Sequence, residues 1–395
     1  MQFAVFGLGI LLFISLVLVH EWGHYIMARR NGVDVEEFGL GFPPRAAGRK
    51  LKSGMLLSVN YLPLGGFVKM KGESDSDKRK HSFGAASLGA KTKILLAGVT
   101  MNLILGLVIL MALAWMGMPK LINQDNVGQD QFTVASDTKV SKQAVLVGAI
   151  QPGSPASNAG LRSTDEIYTI SDGAQVKAIK TVPQLHDATT TFAGQKVTIA
   201  YKRNGTTLTT DTKLLSKSAV DASLKTDDPK GYLGVVPTNV TIQKSTWSAP
   251  IVAVGLSKQI TVLTFQGLGH ALAGLGSTIA GLATVNHEAR ENGQTAASAQ
   301  VGGPVAIGYA LWNSGSLGMN FMLLLIALIS LTLAIMNILP IPALDGGRLF
   351  MILVAHGIFR RPLGRLAEER IVAASFVFLM ALIVLITFVD VKRFF

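Results

Sequence analysis

The chain begins with an apolar run that leads directly into a metal-binding pattern. Residues 3–19 carry no charge, and His20-Glu21-Trp22-Gly23-His24 follows at once. On a helix, residues four apart lie on one face, so both imidazoles can reach a single metal ion. Ionisable residues at membrane depth are costly and are usually functional. The pattern therefore predicts hydrolysis within the bilayer or at its edge.

Hydrophobic residues make up 49% of the 395 residues and charged residues only 15%, which is typical of a membrane protein with a soluble part. Four apolar runs are predicted to span the bilayer: about 3–25, 94–116, 319–341 and 371–390. The first run lacks a basic leader and a cleavage site, so we expect it to be retained.

The net charge of +12 does not require a nucleic-acid partner, because basic residues cluster beside the predicted spans. Those basic loops predict that 33–90 and 348–370 are cytoplasmic, which places the long middle segment outside. The histidine pair ends the first span, and a third metal ligand, discussed below, follows the run 319–341. These two ends lie on the same side of the membrane only if no extra span crosses between 117 and 318. We therefore interpret 249–285 as interfacial helices. The absence of cysteine excludes disulfides and thiolate metal sites.

The predicted fold is a polytopic α-helical membrane protein of about four transmembrane helices, with a cytoplasmic β-rich insert and an extracytoplasmic α+β domain. In that domain we predict strands at Val145–Ile150, Glu166–Ser171, Lys196–Lys202 and Thr207–Leu214, and a helix at Val182–Thr191. The predicted segments, in chain order, are: first span 1–32, β insert 33–90, second span 91–118, α+β domain 136–237, interfacial helices 238–318, third span 319–347, cytoplasmic loop 348–370 and fourth span 371–390.

A catalytic zinc site takes three protein ligands and leaves one position open. The third ligand is predicted in Asn337-Ile338-Leu339-Pro340-Ile341-Pro342-Ala343-Leu344-Asp345-Gly346-Gly347, which ends an apolar run. Two prolines break the helix there, and broken backbone is tolerated at depth where it lines a cavity. We expect Asp345 to face that cavity. The alternative is a solvated aspartate in an ordinary loop at a span terminus.

These motifs resemble the site-2 protease family of intramembrane zinc metalloproteases, and specifically its bacterial RseP/RasP type. His20-Glu21-x-x-His24 and Asn337-x-x-Pro340-x-Pro342-x-Leu344-Asp345-Gly346 carry the resemblance. The sequence from Gln151 to Ile167 is similar to the signature of a PDZ domain, and Gly231-Tyr232-Leu233-Gly234 is the candidate for its carboxylate loop. The family's second span usually reads A-G-P-x-x-N, whereas this chain has Val99 in place of the proline.

The resemblance implies one Zn²⁺ per chain, bound by His20, His24 and Asp345, with Glu21 as general base and proton donor. It also implies a substrate-binding strand that contains Gly65, Gly66, Phe67 and Val68. Asn337 would hold the substrate backbone or stabilise the oxyanion, or else form a helix–helix hydrogen bond.

The predicted function is cleavage of transmembrane segments of pre-trimmed single-span membrane proteins, such as anti-sigma factors or signal-peptide remnants. The partners would be these substrates and the lipid bilayer, with docking of a substrate or partner on the PDZ domain and no nucleic acid. The predicted location is the plasma or inner membrane, with the active site toward the cytoplasm. The alternative is a non-catalytic PDZ membrane scaffold with a structural metal site. Structural zinc sites usually have four protein ligands, and only three are found here, which favours catalysis.

Overall fold

The computed structural model describes residues 2–122, 128–203, 205–226, 228–283 and 303–394. The helices of this part are α1 Gln2–Arg30, α2 Leu88–Met116, α3 Pro155–Asn158, α4 Val182–Thr191, α5 Lys217–Ser223, α6 Ala249–Ala283, α7 Pro304–Leu317, α8 Met319–Ile338, α9 Asp345–Gly357 and α10 Arg365–Phe394. The strands are β1 Val35–Lys50, β2 Leu56–Met70, β3 Met118–Pro119, β4 Lys139–Ile150, β5 Glu166–Ser171, β6 Val176–Ala178, β7 Lys196–Arg203, β8 Thr206–Lys213 and β9 Val235–Lys244.

Two compact units make up the chain. The first comprises residues 1–111, 253–315 and 322–395, and the second comprises residues 112–252 and 316–321.

Five helices in the described part are long and apolar enough to cross a membrane, one more than we predicted. They are Phe3–Arg30, Leu88–Met116, Ala249–Gly274, Met319–Ile338 and Arg365–Lys392. The additional candidate belongs to α6, a continuous helix of 35 residues where we expected separate interfacial helices. No proline occurs between Pro250 and Pro304, so the sequence has no strong helix breaker there. Of the predicted interfacial segment 238–318, residues 238–244 belong to β9, residues 304–317 form α7, and residues 284–302 lie outside the described part.

In the first unit, β1 and β2 pair with each other; 45–50 with 56–60 and 35–40 with 66–70 run antiparallel, whereas 37–40 and 56–59 run parallel. Residues 56–60 of β2 pair with both ends of β1, whereas 66–70 pair only with the start of β1. The order of segments is therefore 45–50, 56–60, 35–40 and 66–70, with 66–70 at the edge. The sequence Gly39-Leu40-Gly41-Phe42 lies within β1. Gly41 has a φ of +79°, which accommodates a bulge without ending the strand.

The predicted cytoplasmic loop 348–370 is helical over much of its length, because α9 runs to Gly357. Its buried residues include Leu349, Ile352 and Ala355, which are three apart and therefore share one helix face. The arginines of this segment led us to expect a loop, but an amphipathic helix carries such charges on its outer face.

The second unit is built on a seven-stranded antiparallel sheet with the order β3-β9-β4-β5-β7-β8, to which β6 adds beside β5. The four predicted strands and the helix at Val182–Thr191 are present. An additional strand, β9, was not predicted; it pairs along β4 from Lys139↔Lys244 to Ile150↔Val235. The sheet therefore extends beyond residue 237, where we placed the end of the domain.

The core of this unit consists of apolar side chains from the sheet and from α4. Its buried members are Val145, Val147, Ala156, Leu161, Ile167, Ile170, Ile179, Leu185, Ala188, Phe192, Val197, Ile199, Tyr201, Leu214 and Leu233.

Three helix ends meet in the second unit. The Ser245 amide donates a hydrogen bond to the Ala114 carbonyl over 2.7 Å, which joins the approach to α6 to the end of α2. The Asn320 side chain donates to the Gly117 carbonyl over 2.7 Å, which joins the start of α8 to the same place. These two bonds place three helix ends side by side, at one depth relative to the membrane: the end of α2 and the beginnings of α6 and α8.

Candidate metal centre

The first two candidate ligands lie on α1, one helical turn apart. His20 and His24 are both buried, and their rings meet edge-on with centroids 4.8 Å apart. An i, i+4 pair on a continuous helix presents both imidazoles to the same side, as the sequence pattern predicts.

Asp345, which is more than 300 residues away in sequence, completes the cluster. Its Oδ2 lies 3.1 Å from His20 Nε2 and 3.2 Å from His24 Nε2, and the two Nε2 atoms are 3.1 Å apart. Ligand atoms bound tetrahedrally to zinc, with bonds of about 2.0–2.1 Å, lie roughly 3.3 Å from one another. The triangle therefore has the dimensions of three corners of a zinc site. Within the described residues, these three form the group of histidine, aspartate and glutamate side chains that could hold a metal ion.

The position of the proton on His24 is fixed by the main chain of α2. His24 Nδ1 lies 2.8 Å from the Ile94 carbonyl oxygen, so Nδ1 must donate the proton to this acceptor. In the neutral ring, Nε2 is then bare, and its lone pair faces the other two ligand atoms. A carboxylate oxygen and a bare nitrogen at this distance repel each other unless a cation lies between them. The donor set thus fits a divalent metal.

Asp345 is brought to the cluster by a tight turn between α8 and α9. A Cβ atom at Gly346 would lie 2.3 Å from the Ile338 carbonyl oxygen, and one at Gly347 would lie 1.9 Å from that of Ile341. Only glycine fits at both positions, because the backbone of the turn passes directly over them. Asp345 begins α9, where the helix dipole favours a negative charge.

Glu21 lies beside the cluster and in contact with the β2 edge. A Cβ at Gly66 would be 3.1 Å from Glu21 Cγ, and the Val68 backbone interacts with the Glu21 carboxylate. The carboxylate is also within electrostatic range of His20, His24 and Asp345. Glu21 therefore lies between the β2 strand and the three candidate ligands.

The remaining predicted residues divide between two elements. Gly65, Gly66, Phe67 and Val68 all belong to β2, and Gly66 and Val68 are the two that approach Glu21. Asn337 lies in the last turn of α8 and is half-buried.

Sequence reasoning gave no role to Asn102, which lies in the middle of α2 and is 1% exposed. Its side-chain amide lies 3.3 Å from His20 Nδ1, on the side of the ring away from the metal ligands. The available signal was a polar amide inside an otherwise apolar span.

A metal site of two histidines and one carboxylate, set among helices of membrane-spanning length, defines the class of membrane-embedded metallopeptidases. The chain matches Peptidase family M50 over residues 8–382 and belongs to this family, that of the site-2 proteases. It is accordingly a zinc metalloprotease and a multi-pass membrane protein.

Three relatives are similar in sequence over almost the whole chain, and each is named as a zinc metalloprotease. A protein of Clostridium perfringens strain 13 is 30% identical over 384 residues, covering 97% of each chain. One of Clostridium acetobutylicum is 28% identical over 396 residues, covering 99% of this chain and 98% of its own. One of Nostoc sp. strain PCC 7120 is 27% identical over 376 residues, covering 93% of this chain and 90% of its own.

Proposed function

We propose that this protein hydrolyses peptide bonds within the transmembrane segments of single-span membrane proteins. The observation that carries the proposal is the convergence of Asp345 with His20 and His24, which lie beside Glu21 on a helix of membrane-spanning length. A site at this place can act on a peptide bond that lies in or near the bilayer.

In this proposal, His20, His24 and Asp345 bind one zinc ion per chain. When bound, zinc acts as a Lewis acid and makes water nucleophilic near neutral pH. Glu21 takes the proton from the attacking water and later delivers it to the leaving amide nitrogen. Asn337, near the turn that carries Asp345, holds the substrate backbone or donates to the developing oxyanion.

The edge of β2 is the proposed substrate-binding strand. A transmembrane helix satisfies its backbone groups internally, so a segment that unwinds for cleavage needs new hydrogen-bond partners. Residues 66–70 pair with β1 on one side, and Gly66 and Val68 of this segment lie against Glu21. A substrate added as a strand there would have its backbone held beside the general base.

We further propose that the active site faces the cytoplasm and that the α+β domain lies outside. Arg29 and Arg30 end α1, and Arg360 and Arg361 follow α9, in agreement with the excess of basic residues in cytoplasmic loops. The α+β domain would act as a PDZ module that docks substrates or excludes bulky ectodomains. Its groove would lie between α4 and β9, where the Val182 amide donates to the Asn239 side chain.

The experiment compares the parent with Glu21→Gln on a transmembrane model peptide, with zinc content measured in both proteins. We expect Glu21→Gln to keep its zinc and to lower kcat by about 10²- to 10⁴-fold, the usual contribution of general acid–base catalysis. Glu369→Gln is the matched control, because this glutamate is exposed on α10 and pairs with Arg365. It should cleave like the parent. Cleavage by Glu21→Gln at the parental rate would refute the assigned role.

A further inference from the structure

We infer that Asn102 is a positioning residue that fixes which nitrogen of His20 is free to bind the metal. The inference rests on the proposed zinc ligands. It concerns a residue of α2 that touches the outer nitrogen of His20 and that the proposed mechanism does not otherwise use.

The two nitrogens of His20 face different partners. Nε2 points at Asp345 and His24, whereas Nδ1 lies 3.3 Å from the amide nitrogen of Asn102. A neutral imidazole carries its proton on one nitrogen only, so the partner of Nδ1 decides whether Nε2 is bare. If Nδ1 accepted from the Asn102 amide, the proton would sit on Nε2, among the ligand atoms, and would prevent metal binding.

The amide of Asn102 can present either end to the ring. The Oδ1 and Nδ2 atoms of an asparagine have nearly the same shape, and their assignment follows from the hydrogen bonds around them. With Oδ1 turned toward His20, Nδ1 donates to it and Nε2 keeps its lone pair for the metal. Only this orientation agrees with the convergence of the three ligand atoms. In the second histidine, His24 Nδ1 donates to the Ile94 carbonyl in the same way, which leaves His24 Nε2 free for the metal.

The burial of Asn102 shows that the residue is not there for packing alone. The side chain is 1% exposed, and its Oδ1 atom has no hydrogen-bond partner among the described residues. With Nδ2 toward His20, the amide therefore leaves its Oδ1 unpaired in the interior, which costs free energy that a leucine of similar size would not. A buried polar group held at such a cost calls for a role beyond structure.

The position of Asn102 is itself held by a third helix. Ser330 of α8 donates its hydroxyl proton to the Asn102 main-chain carbonyl over 2.8 Å, and Ser330 is fully buried. This bond involves the backbone, so it leaves the side-chain amide free to serve His20. It also provides a control that disturbs the neighbourhood of Asn102 without touching the histidine.

The test measures zinc affinity by chelator competition, together with the melting temperature of the metal-free full-length protein in detergent. We expect Asn102→Leu to weaken zinc binding by about 10- to 100-fold, as loss of an outer hydrogen bond to a metal-binding histidine usually does. Its melting temperature should be equal to or higher than that of the parent, because the unpaired amide is gone. Asn102→Asp keeps an acceptor for His20 Nδ1 and should retain affinity within a few-fold. Ser330→Ala should bind zinc like the parent.

Two results would overturn the inference: zinc affinity in Asn102→Leu equal to that of the parent, or equal losses in Asn102→Leu and Asn102→Asp. If Asn102→Leu does not fold, the comparison of Asn102→Asp with Ser330→Ala decides, and a loss of affinity in Asn102→Asp alone overturns it. Cobalt substitution adds a spectroscopic readout, since a changed histidine orientation alters the visible bands of the bound ion. A parent that binds no zinc would instead refute the proposed ligands, so the two failures are distinguishable.

Discussion

At the residue scale, the space available to the two histidines is set by a missing side chain on α2. A Cβ atom at Gly98 would lie 2.5 Å from His20 Cε1 and 2.5 Å from His24 Nε2. Carbon atoms in contact normally lie about 3.5–4.0 Å apart, so even a methyl group there must push the imidazoles away. Gly98 therefore allows α2 to pass close to the ring atoms of His20 and His24 that face the shared metal centre.

This contact predicts that Gly98→Ala impairs metal binding. We expect a loss of zinc affinity of at least about tenfold, because a displaced imidazole no longer points at the shared centre. Gly89→Ala is the matched control on the same helix, since no heavy atom lies within 4 Å of its Cβ position. That variant should bind zinc normally, with a small gain in helix stability. Chelator competition on both proteins measures the difference, and equal affinities would contradict the prediction.

The sequence could predict some of these residues and not others. The pair His20 and His24 is visible because its spacing is local, and Asp345 because two prolines and two glycines surround it. The Ile94 carbonyl is a backbone group, which every residue possesses, so no pattern marks it. Asn102 depends on the crossing of α1 and α2, and that crossing is a tertiary property.

At the scale of elements, the charged segment 73–80 is anchored by buried ion pairs and hydrogen bonds. Asp75 is 4% exposed and pairs with both Lys91 of α2 and His356 of α9. Its backbone amide donates to Glu368 of α10. Buried charges must be paired, and these pairs join the beginning of α2 to α9 and α10. Charge alone cannot distinguish such an anchored loop from a solvated one.

The helix ends that meet in the second unit bear on whether α6 crosses the membrane. Because α6 and α8 begin at one level, the chain between them crosses the membrane an even number of times. If α6 crosses, the return must be made before α8. The described part of that return, α7, has 14 residues and spans roughly 21 Å at 1.5 Å per residue, less than the hydrocarbon thickness of about 30 Å. Between these two points the described residues contain one helix of spanning length, and we infer that α6 lies along the membrane surface.

We therefore predict that Ser277, which is exposed near the end of α6, is accessible from outside. The chain has no cysteine, so Ser277→Cys carries a single thiol. A membrane-impermeant maleimide should label it in intact cells, as it should label Lys225→Cys in the α+β domain. Arg361→Cys, between α9 and α10, should react only after permeabilisation. Labelling of Ser277→Cys that also requires permeabilisation would show that α6 crosses.

At the scale of the whole molecule, the α+β domain is the part whose removal tests selection of substrates by size. Lys139 and Lys244 are register partners at the ends of β4 and β9, so their Cα atoms lie about 5 Å apart. Deleting 140–243 and closing the gap with a short glycine–serine linker therefore leaves the flanking chain in place. We expect this variant to cleave a substrate with a folded ectodomain as fast as the trimmed substrate, whereas the parent prefers the trimmed one.

The readout is the ratio of cleavage rates for one transmembrane segment with and without the ectodomain. The variant must retain parental zinc content and cleave the trimmed substrate at the parental rate, which shows that the metal centre is intact. A ratio equal to that of the parent would rule out a filtering role for the domain.

The order of motifs along the chain was predictable, because each apolar run and each metal-binding pattern is a local signal. The pairing of β9 with β4 was not, since partners almost 100 residues apart leave no local pattern, and the predicted domain ended too early. The form of α6 was also missed, because a helix rich in glycine and alanine has similar composition whether it crosses a membrane or lies on it.

The wide separation of the metal ligands has a consequence for biosynthesis. His20 and Asp345 are 325 residues apart, so a chain still on the ribosome presents the paired histidines long before the carboxylate is translated. A nascent chain that still lacks Asp345 therefore cannot complete the ligand set, so it cannot cleave neighbouring proteins at the insertion machinery. Assembly of the three-ligand centre therefore waits until translation has passed Asp345.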